Sequence, residues 1–287
     1  MLMLKRTVDF TPRVRSIPAP AVTYLPLGQF GQGARALPGG ARHRALASTD
    51  AHDGSVGPIA QPLPQCEGDE LWLWRFLLAG RPFGATGAAV GGPDDGATWL
   101  SAEEHAVARR LPRTQMRHRF MSERIALRWI FGRWYRCSPA DAPVPTATPG
   151  VSSLECDSPH GKVWVDMAHA GLWLFVALGQ NPVALAAHAP MSPAADDVES
   201  AGVAGLTQDP FAVARDAAHR LCLARLAGEG ESLASDADVP LLAHPYVSVP
   251  YAGRTRYLYD ISVSSRLTVV AARDGIVHRL RGYGWQN

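Results

Sequence analysis

The segment KVWVDMAHAGLWLFVALGQNPVALAAHA, residues 162–189, decides how the rest of the chain is interpreted. It contains three apolar runs in close succession, KVWVDM, LWLFVAL and PVALAAHA, and short runs of this kind are typical of strands. His169 lies between the first two runs and is flanked by alanines. The segment therefore predicts three neighbouring strands, with His169 as a candidate functional residue whose immediate neighbours lack polar side chains.

Composition restricts the class of protein before any other motif is considered. The 287 residues are 47% hydrophobic and 19% charged, which is typical of a globular protein with one large domain or two modest ones. A net charge of +2 does not favour general nucleic-acid binding, so we expect no nucleic-acid partner. No apolar run is long enough to span a bilayer and the start has no apolar signal region, which predicts a cytoplasmic protein without a membrane partner. The four cysteines have no zinc-like spacing, which predicts reduced thiols. We also expect the protein to be a monomer.

Residues 1–65 differ from the rest of the chain. Prolines recur there among Gly, Ala and Arg, with no sustained period of either a helix or a strand. We therefore expect a flexible N-terminal extension, with order beginning near Glu70. From that residue the run ELWLWRFLLAG alternates as a strand does, which places Trp72, Trp74 and Phe76 on one face.

Two helices are predicted next. Ser101 followed by Glu104 is a capping box, so a helix should begin at Ala102 and end before Pro112. A longer helix is predicted over residues 113–136. Its expected inward-facing positions are Phe120, Leu127, Phe131 and Trp134. A second face carries Arg113, Arg117, Arg124 and Arg128, and this pattern fits a solvated surface as well as an anion site.

The remaining elements alternate between loops and regular structure. A Pro/Ser-rich loop at 138–160 precedes the three strands of the quoted segment, and a second loop spans 190–210. The helix FAVARDAAHRLCLARLAG then closes at Gly228, and strands return from Tyr246 onward. This order predicts an α+β chain of two similar halves, residues 66–189 and 190–287.

The order of elements and several motifs resemble the surfactin-type 4′-phosphopantetheinyl transferases. That family moves the phosphopantetheine arm of coenzyme A onto a serine of an acyl or peptidyl carrier protein. WLSAEEHAVARRL resembles the leading helix of the family, and RHRFMSERIALRWIFGRW resembles its arginine-rich helix. The resemblance extends diffusely from about Glu70 to Gly284. It implies a phosphopantetheinyl transferase-like fold, a pseudo-twofold pair of similar α/β halves.

The quoted segment carries part of this resemblance and part of the departure from it. HGKVW is similar to the G-K-P motif, with Val163 in place of proline. VDMAHAG is similar to F-N-[LI]-S-H-S. There His169 is kept, Asp166 replaces the asparagine, and Ala168 and Ala170 replace the two serines.

The larger departures concern magnesium. In the family, two carboxylates of P-[VI]-G-[VI]-D-[IL]-E and one of W-x-x-K-E-x-x-x-K surround the metal. Here Ala186 and His188 replace the first two and Leu221 replaces the third. Magnesium requires oxygen ligands, so we expect no ordinary magnesium-dependent transfer. A shifted loop could bring back one carboxylate from Asp196, Asp197 and Glu199.

The cationic residues of the motifs remain. The resemblance implies that coenzyme A or a phosphopantetheine arm is held by Arg119, Arg128, His169, Arg220 and Arg225. Arginines bind phosphate bidentately and keep their charge. The alternative is that the arginines are solvated and that His169 is a core histidine.

Three hypotheses about function follow. The first is a repurposed, metal-independent enzyme in which His169, Asp166 and His188 perform acid–base chemistry on acyl intermediates carried by coenzyme A or a carrier protein, as in polyketide or fatty-acid-like pathways. His219 is an ambiguous further candidate. The second is a non-catalytic protein, a pseudoenzyme, that binds an acyl or peptidyl carrier protein. The third is an active phosphopantetheinyl transferase with an unusual metal site.

Overall fold

The computed structural model describes residues 15–25, 65–78, 96–145, 153–158, 160–188, 210–228, 245–262 and 267–284. The helices in these ranges are α1 (Ala102–Arg110), α2 (Thr114–Tyr135) and α3 (Pro210–Ala227). The strands are β1 (Arg15–Ser16), β2 (Ala21–Leu25), β3 (Glu70–Leu77), β4 (Ser153–Ser158), β5 (Gly161–Ala170), β6 (Trp173–Gly179), β7 (Val183–His188), β8 (Tyr246–Tyr251), β9 (Arg254–Asp260), β10 (Thr268–Asp274) and β11 (Arg279–Tyr283). The predicted α+β class is confirmed.

The chain divides into two compact units. The sheet unit comprises Met1–Leu27, Gln65–Gly80 and Pro145–Asn287, and the helix unit comprises Gly28–Pro64 and Arg81–Val144. All described strands and α3 belong to the sheet unit, whereas α1 and α2 belong to the helix unit. The predicted boundary between residues 189 and 190 lies outside the described residues, so the two predicted halves stay a prediction.

Two sheets form the sheet unit. One has the strand order β1-β8-β9-β10-β7 and the other has the order β2-β11-β3-β6-β5-β4. Most pairs are antiparallel, but β11 runs parallel to both β2 and β3. The three strands predicted from the quoted segment are confirmed as β5, β6 and β7. β5 and β6 pair in the six-stranded sheet, and β7 pairs with β10 in the five-stranded sheet.

An apolar core joins the two sheets. Alternation along each strand sends every second side chain to this core, and Leu73, Phe175, Leu185 and Val269 are among its fully buried members. The opposite face of β3 carries Trp72, Trp74 and Phe76, as predicted, and all three are fully buried. The Trp74 ring stacks on Tyr283 of the neighbouring strand, with ring centroids 4.8 Å apart.

The N-terminal segment corrects one expectation. We expected order to begin near Glu70, but β1 pairs with β8 and β2 pairs with β11, each at the edge of a different sheet. An edge strand is held by backbone hydrogen bonds, such as the 2.8 Å bond from Ala21 N to His278 O. The side chains of residues 21–23 are exposed. No apolar periodicity therefore marked these strands in the sequence.

The structure of the helix unit agrees closely with the elements predicted from its sequence. The capping box of α1 is present, with Ser101 Oγ accepting from Glu104 N and Glu104 Oε2 accepting from Ser101 N. α1 ends at Arg110, before Pro112, as predicted. Leu127, Phe131 and Trp134 of α2 are buried as expected, and Phe120 is half-buried. No described helix is long and apolar enough to cross a membrane.

Glu104 ties α1 to α2. Its buried carboxylate accepts from Arg124 Nε at 2.5 Å and from Arg128 Nε at 2.9 Å, and Arg128 Nη1 also donates to Ala140 O at 2.7 Å. Burial alone would raise the pKa of Glu104, but the Ser101 N–H and the two guanidinium groups lower it below its ordinary value. Arg124 and Arg128 therefore do not form the solvated surface that was one of the two uses considered for the arginine stripe. They neutralise a buried acid.

We predict that Glu104→Gln destabilises the helix unit by about 3 kcal/mol, because it leaves two buried guanidinium groups without their counter-charge. The free energy of unfolding from urea denaturation, followed by the helical circular-dichroism signal, measures the effect. Glu103→Gln changes an exposed neighbour and is the matched control, with an expected change below about 0.5 kcal/mol. Equal stabilities of the two variants would contradict the assignment.

The lowered pKa of Glu104 also predicts a pH dependence. In the unfolded chain this carboxyl titrates near its ordinary value of 4.5, and in the folded chain it titrates below that value. Its stabilisation is therefore fully present above about pH 5.5 and is lost as the pH falls through 4.5 towards the folded pKa. Urea denaturation at a series of acidic pH values should show a steeper loss of stability in the wild type than in Glu104→Gln. Parallel curves would refute this.

Candidate functional site

The sheet unit brings several of the predicted site residues to one region. β7 lies alongside β5, and α3 packs on β7 and β10. Asp166 and His169 lie on β5, His188 lies at the end of β7, and Arg220 and Arg225 lie on α3. The junction of β5, β7 and α3 is therefore the candidate site.

An ion pair between Asp166 and Arg225 lies at the centre of this junction. Asp166 is 1% exposed; its Oδ1 accepts from Arg225 Nη2 at 2.7 Å and its Oδ2 accepts from Leu185 N at 2.6 Å. The same guanidinium donates to Leu185 O at 2.5 Å and to Met167 O at 3.2 Å. We call this arrangement the Asp166–Arg225 clasp. It fastens α3 to two neighbouring strands and satisfies a carboxylate that would otherwise be buried without a partner.

The clasp accounts for two sequence departures together. Relative to the family motifs, Asp166 stands in place of an asparagine and Arg225 in place of a lysine. A buried acid needs a cation within hydrogen-bonding distance, and the planar guanidinium group can bond a carboxylate and two carbonyl oxygens at once. In the sequence, this contact was indicated only by the two departures from the family motifs at Asp166 and Arg225. The sequence alone did not show that these two residues are in contact.

The place expected for the first magnesium ligand is apolar. Ala186 is 1% exposed and packs in a cluster with Ala184, Ala218, Cys222 and Leu223. Cys222 Sγ donates to Val270 O at 3.0 Å, and burial raises the pKa of its thiol strongly. The residues packed between β7 and α3 therefore present methyl groups and a protonated thiol. A hard cation such as magnesium requires oxygen ligands instead.

The neighbouring positions do not restore a magnesium site. Leu221 is apolar and 41% exposed, His188 offers a nitrogen, and both oxygens of Asp166 are bonded within the clasp. Among the described residues, no group of three or more His, Cys, Asp and Glu side chains could hold a metal ion. The residues considered as a substitute, Asp196, Asp197 and Glu199, lie outside the described residues. The donor set on these strands and on α3 does not fit magnesium.

The two histidines of the predicted acid–base group lie at the ends of their strands. His169 is half-buried, three residues beyond Asp166 along β5, and is paired in register with Leu174. His188 is half-buried, three residues beyond Leu185 along β7, and is paired in register with Thr268. Alternation along β7 places His188 on the side of Ala184 and Ala186, which faces α3.

His219 is a buried residue of α3. It is 2% exposed, and burial lowers its pKa to about 4, although the nearby Asp260 carboxylate raises it and Arg215 lowers it further. The imidazole is therefore neutral near pH 7. This favours a structural role for His219.

The predicted phosphate ligands differ in their surroundings. Arg225 is held in the clasp, and Arg220 forms an i,i+4 ion pair with Asp216 at 2.8 Å on the outer side of α3. In the helix unit, Arg128 is bonded to Glu104, whereas Arg119 is exposed on α2. Their binding of phosphate stays a prediction, and for Arg128 and Arg225 the structure adds an internal role.

The comparison with protein-family models finds no match for this chain, and the comparison with curated proteins finds no significant match.

We predict that Asp166→Asn lowers the free energy of unfolding by about 3 kcal/mol, because it leaves the Arg225 charge partly buried without its counter-ion. Urea denaturation followed by tryptophan fluorescence measures this. Asp216→Asn breaks the exposed Asp216–Arg220 pair and is the control, with an expected loss below about 1 kcal/mol. If Asp166→Asn were as stable as the wild type, the clasp would not be a structural element.

Proposed function

We propose that this chain is a divergent phosphopantetheinyl-transferase-like protein that binds coenzyme A or the phosphopantetheine arm of a carrier protein and does not transfer the arm. The proposal includes the fold that the resemblance implies, a phosphopantetheinyl transferase-like fold made of a pseudo-twofold pair of similar halves. The observation that carries it is the Asp166–Arg225 clasp. It fills the junction with a neutralised, internally bonded ion pair, while the positions that match the family's carboxylates hold Ala186, His188 and Leu221.

Two features of the junction support binding over catalysis. The carboxylate of Asp166 is 1% exposed and both of its oxygens are bonded, so a substrate proton has no free oxygen to approach. The apolar cluster around Ala186 leaves no oxygen ligands for a metal that would stabilise a leaving phosphoryl group. Cationic groups remain at the surface near this junction, in Arg220 and the partly exposed edge of Arg225.

A second candidate is the metal-independent acid–base enzyme acting on tethered acyl intermediates. It is favoured by one observation: two half-buried imidazoles, His169 and His188, lie near the ends of β5 and β7, which are in contact. Imidazoles are suited to proton transfer near neutral pH. In this case the histidines would act without Asp166, because that carboxylate is committed to Arg225.

We predict that the chain binds coenzyme A with the same affinity in the presence and absence of Mg²⁺. Isothermal titration calorimetry with coenzyme A, with and without Mg²⁺, tests this. An affinity that rises more than about tenfold with Mg²⁺ would show that a metal site has been overlooked. Absence of any binding of coenzyme A and of a holo-carrier protein would overturn the proposal as a whole.

Mass spectrometry separates the binding protein from the two enzymes. An apo-carrier protein incubated with coenzyme A and Mg²⁺ or Mn²⁺ should keep its mass; a gain of one phosphopantetheine would show an active transferase. Acyl-coenzyme A and acyl-carrier protein should likewise be unchanged. A mass change that disappears in the His169→Ala, His188→Ala double variant would favour the acid–base enzyme.

A further inference from the structure

A cluster of exposed basic side chains surrounds the connection between α1 and α2. We call it the basic elbow. Its charged members are Arg109, Arg110, Arg113 and Arg119. The imidazole of His118 and two exposed apolar side chains, Val107 and Met116, lie among them. The function proposed above makes no use of this surface apart from Arg119.

The elbow has a fixed backbone. Arg117 Nε donates to Ala108 O at 3.1 Å, and Leu111 N donates to the same carbonyl oxygen at 3.2 Å. The first bond joins the first turn of α2 to the last turn of α1, and the second is the C-cap bond of α1. The basic side chains are therefore displayed from a single ordered turn and not from a loose connection.

The charges of the elbow are not balanced by acidic side chains in the described part of the helix unit. No acidic residue occurs between His105 and Ser122. Arg109, Arg110, Arg113 and Arg119 form no ion pair with any residue in the described ranges. Arginines on the surface of the sheet unit behave differently, since each of the following has a carboxylate partner: Arg220, Arg254 and Arg279.

Helix stability does not explain the cluster. Arg109 and Arg110 suit the C-terminal end of α1, where the helix dipole favours cations. Arg113, however, occupies the N-cap of α2 without a side-chain cap, and the first turn of α2 has no acidic residue. Positive charge is unfavourable at that end of a helix, and α1 in the same unit shows the favourable arrangement, with Ser101 as cap and Glu103 and Glu104 in its first turn. A local rule broken without a compensating contact is typical of a functional surface.

The apolar members indicate the kind of partner. Val107 is 42% exposed and Met116 is 44% exposed, whereas Phe120, the aromatic residue that follows Met116 on α2, is half-buried. A single-stranded nucleic acid would call for exposed aromatic rings to stack on its bases. An anionic membrane would call for a continuous apolar helix face, and two separate apolar side chains do not provide one. An amphipathic helix with acidic and apolar side chains matches both the positive charge of the elbow and its exposed apolar side chains.

We propose that the basic elbow is a docking surface for an acidic amphipathic helix presented by a protein partner. Arg109, Arg110 and Arg113 would pair with its carboxylates, while Val107 and Met116 would contact its apolar side chains. The identification of that partner with a carrier protein rests on the function proposed above.

Charge reversal at the elbow tests the inference. The variant Arg109→Glu/Arg110→Glu/Arg113→Glu leaves every residue of the candidate coenzyme A site unchanged. The probe is an apo-acyl carrier protein, which has no phosphopantetheine arm and so reports surface docking alone. Arg254→Glu, at a side chain 71% exposed in the sheet unit, is the matched control for Arg110→Glu. Calorimetric Kd values are compared at low and at physiological ionic strength, and coenzyme A binding is measured for each variant.

We predict that the triple variant binds the apo-carrier protein at least about tenfold more weakly than the wild type, and that Arg110→Glu is weakened while Arg254→Glu stays within about twofold. The wild-type Kd should also rise with salt. Unchanged binding by the triple variant, or no binding by the wild type, would overturn the inference. So would an elbow-dependent affinity for anionic vesicles or single-stranded RNA that exceeds the affinity for the carrier protein.

The two proposals fail separately. If the carrier protein binds through the elbow but coenzyme A does not bind, the docking proposal is supported and the proposed binding of the phosphopantetheine arm is contradicted. If coenzyme A binds equally to the wild type and the triple variant, and the carrier protein binds independently of the elbow, the arm-binding function is supported and the docking proposal is contradicted.

Discussion

A carboxylate buried between strands has to be neutralised where it lies, and in this protein that requirement organises the candidate site. Asp166 is almost inaccessible to solvent, so its charge would be costly without a cation in contact. Arg225 supplies the cation from α3, 59 residues further along the chain. The position of α3 on the five-stranded sheet is thereby linked to β5 and β7, and the apolar cluster around Ala186 and Cys222 is closed beneath it.

The helix unit uses the same principle with a different geometry. Glu104 caps its own helix and also receives two guanidinium groups from α2, so one carboxylate serves local structure and helix packing together. This changes the interpretation of arginine-rich segments. Arg124 and Arg128 are part of the packed interior, whereas the arginines of the basic elbow, on α1 and the first part of α2, have no such partner in the described part of the unit. The first group neutralises a buried acid, and the second group is the one that the docking proposal uses.

The two proposals describe a protein in which metal chemistry has given way to recognition. The junction of β5, β7 and α3 holds an internal ion pair and a cluster of apolar side chains, which offer no set of open oxygen ligands among the described residues. At the basic elbow, positive charge is placed where helix stability disfavours it. One proposal concerns a junction that holds an anionic arm, and the other concerns a surface that attracts an acidic helix. Neither requires a bond to be made or broken.

The sequence by itself determined the local structure, because the physics of those elements is local. The capping box at Ser101 and Glu104, the strand face of Trp72 and Trp74, and the three strands of residues 162–189 all follow from spacing within a few residues. The edge strands β1 and β2 could not be found in this way, because they depend on backbone pairing with distant strands. Of the candidate site, the sequence indicated Asp166 and Arg225 as unusual residues. Only the tertiary structure decided that they neutralise each other, since an ion pair is defined by a distance across the fold and not by a pattern along the chain.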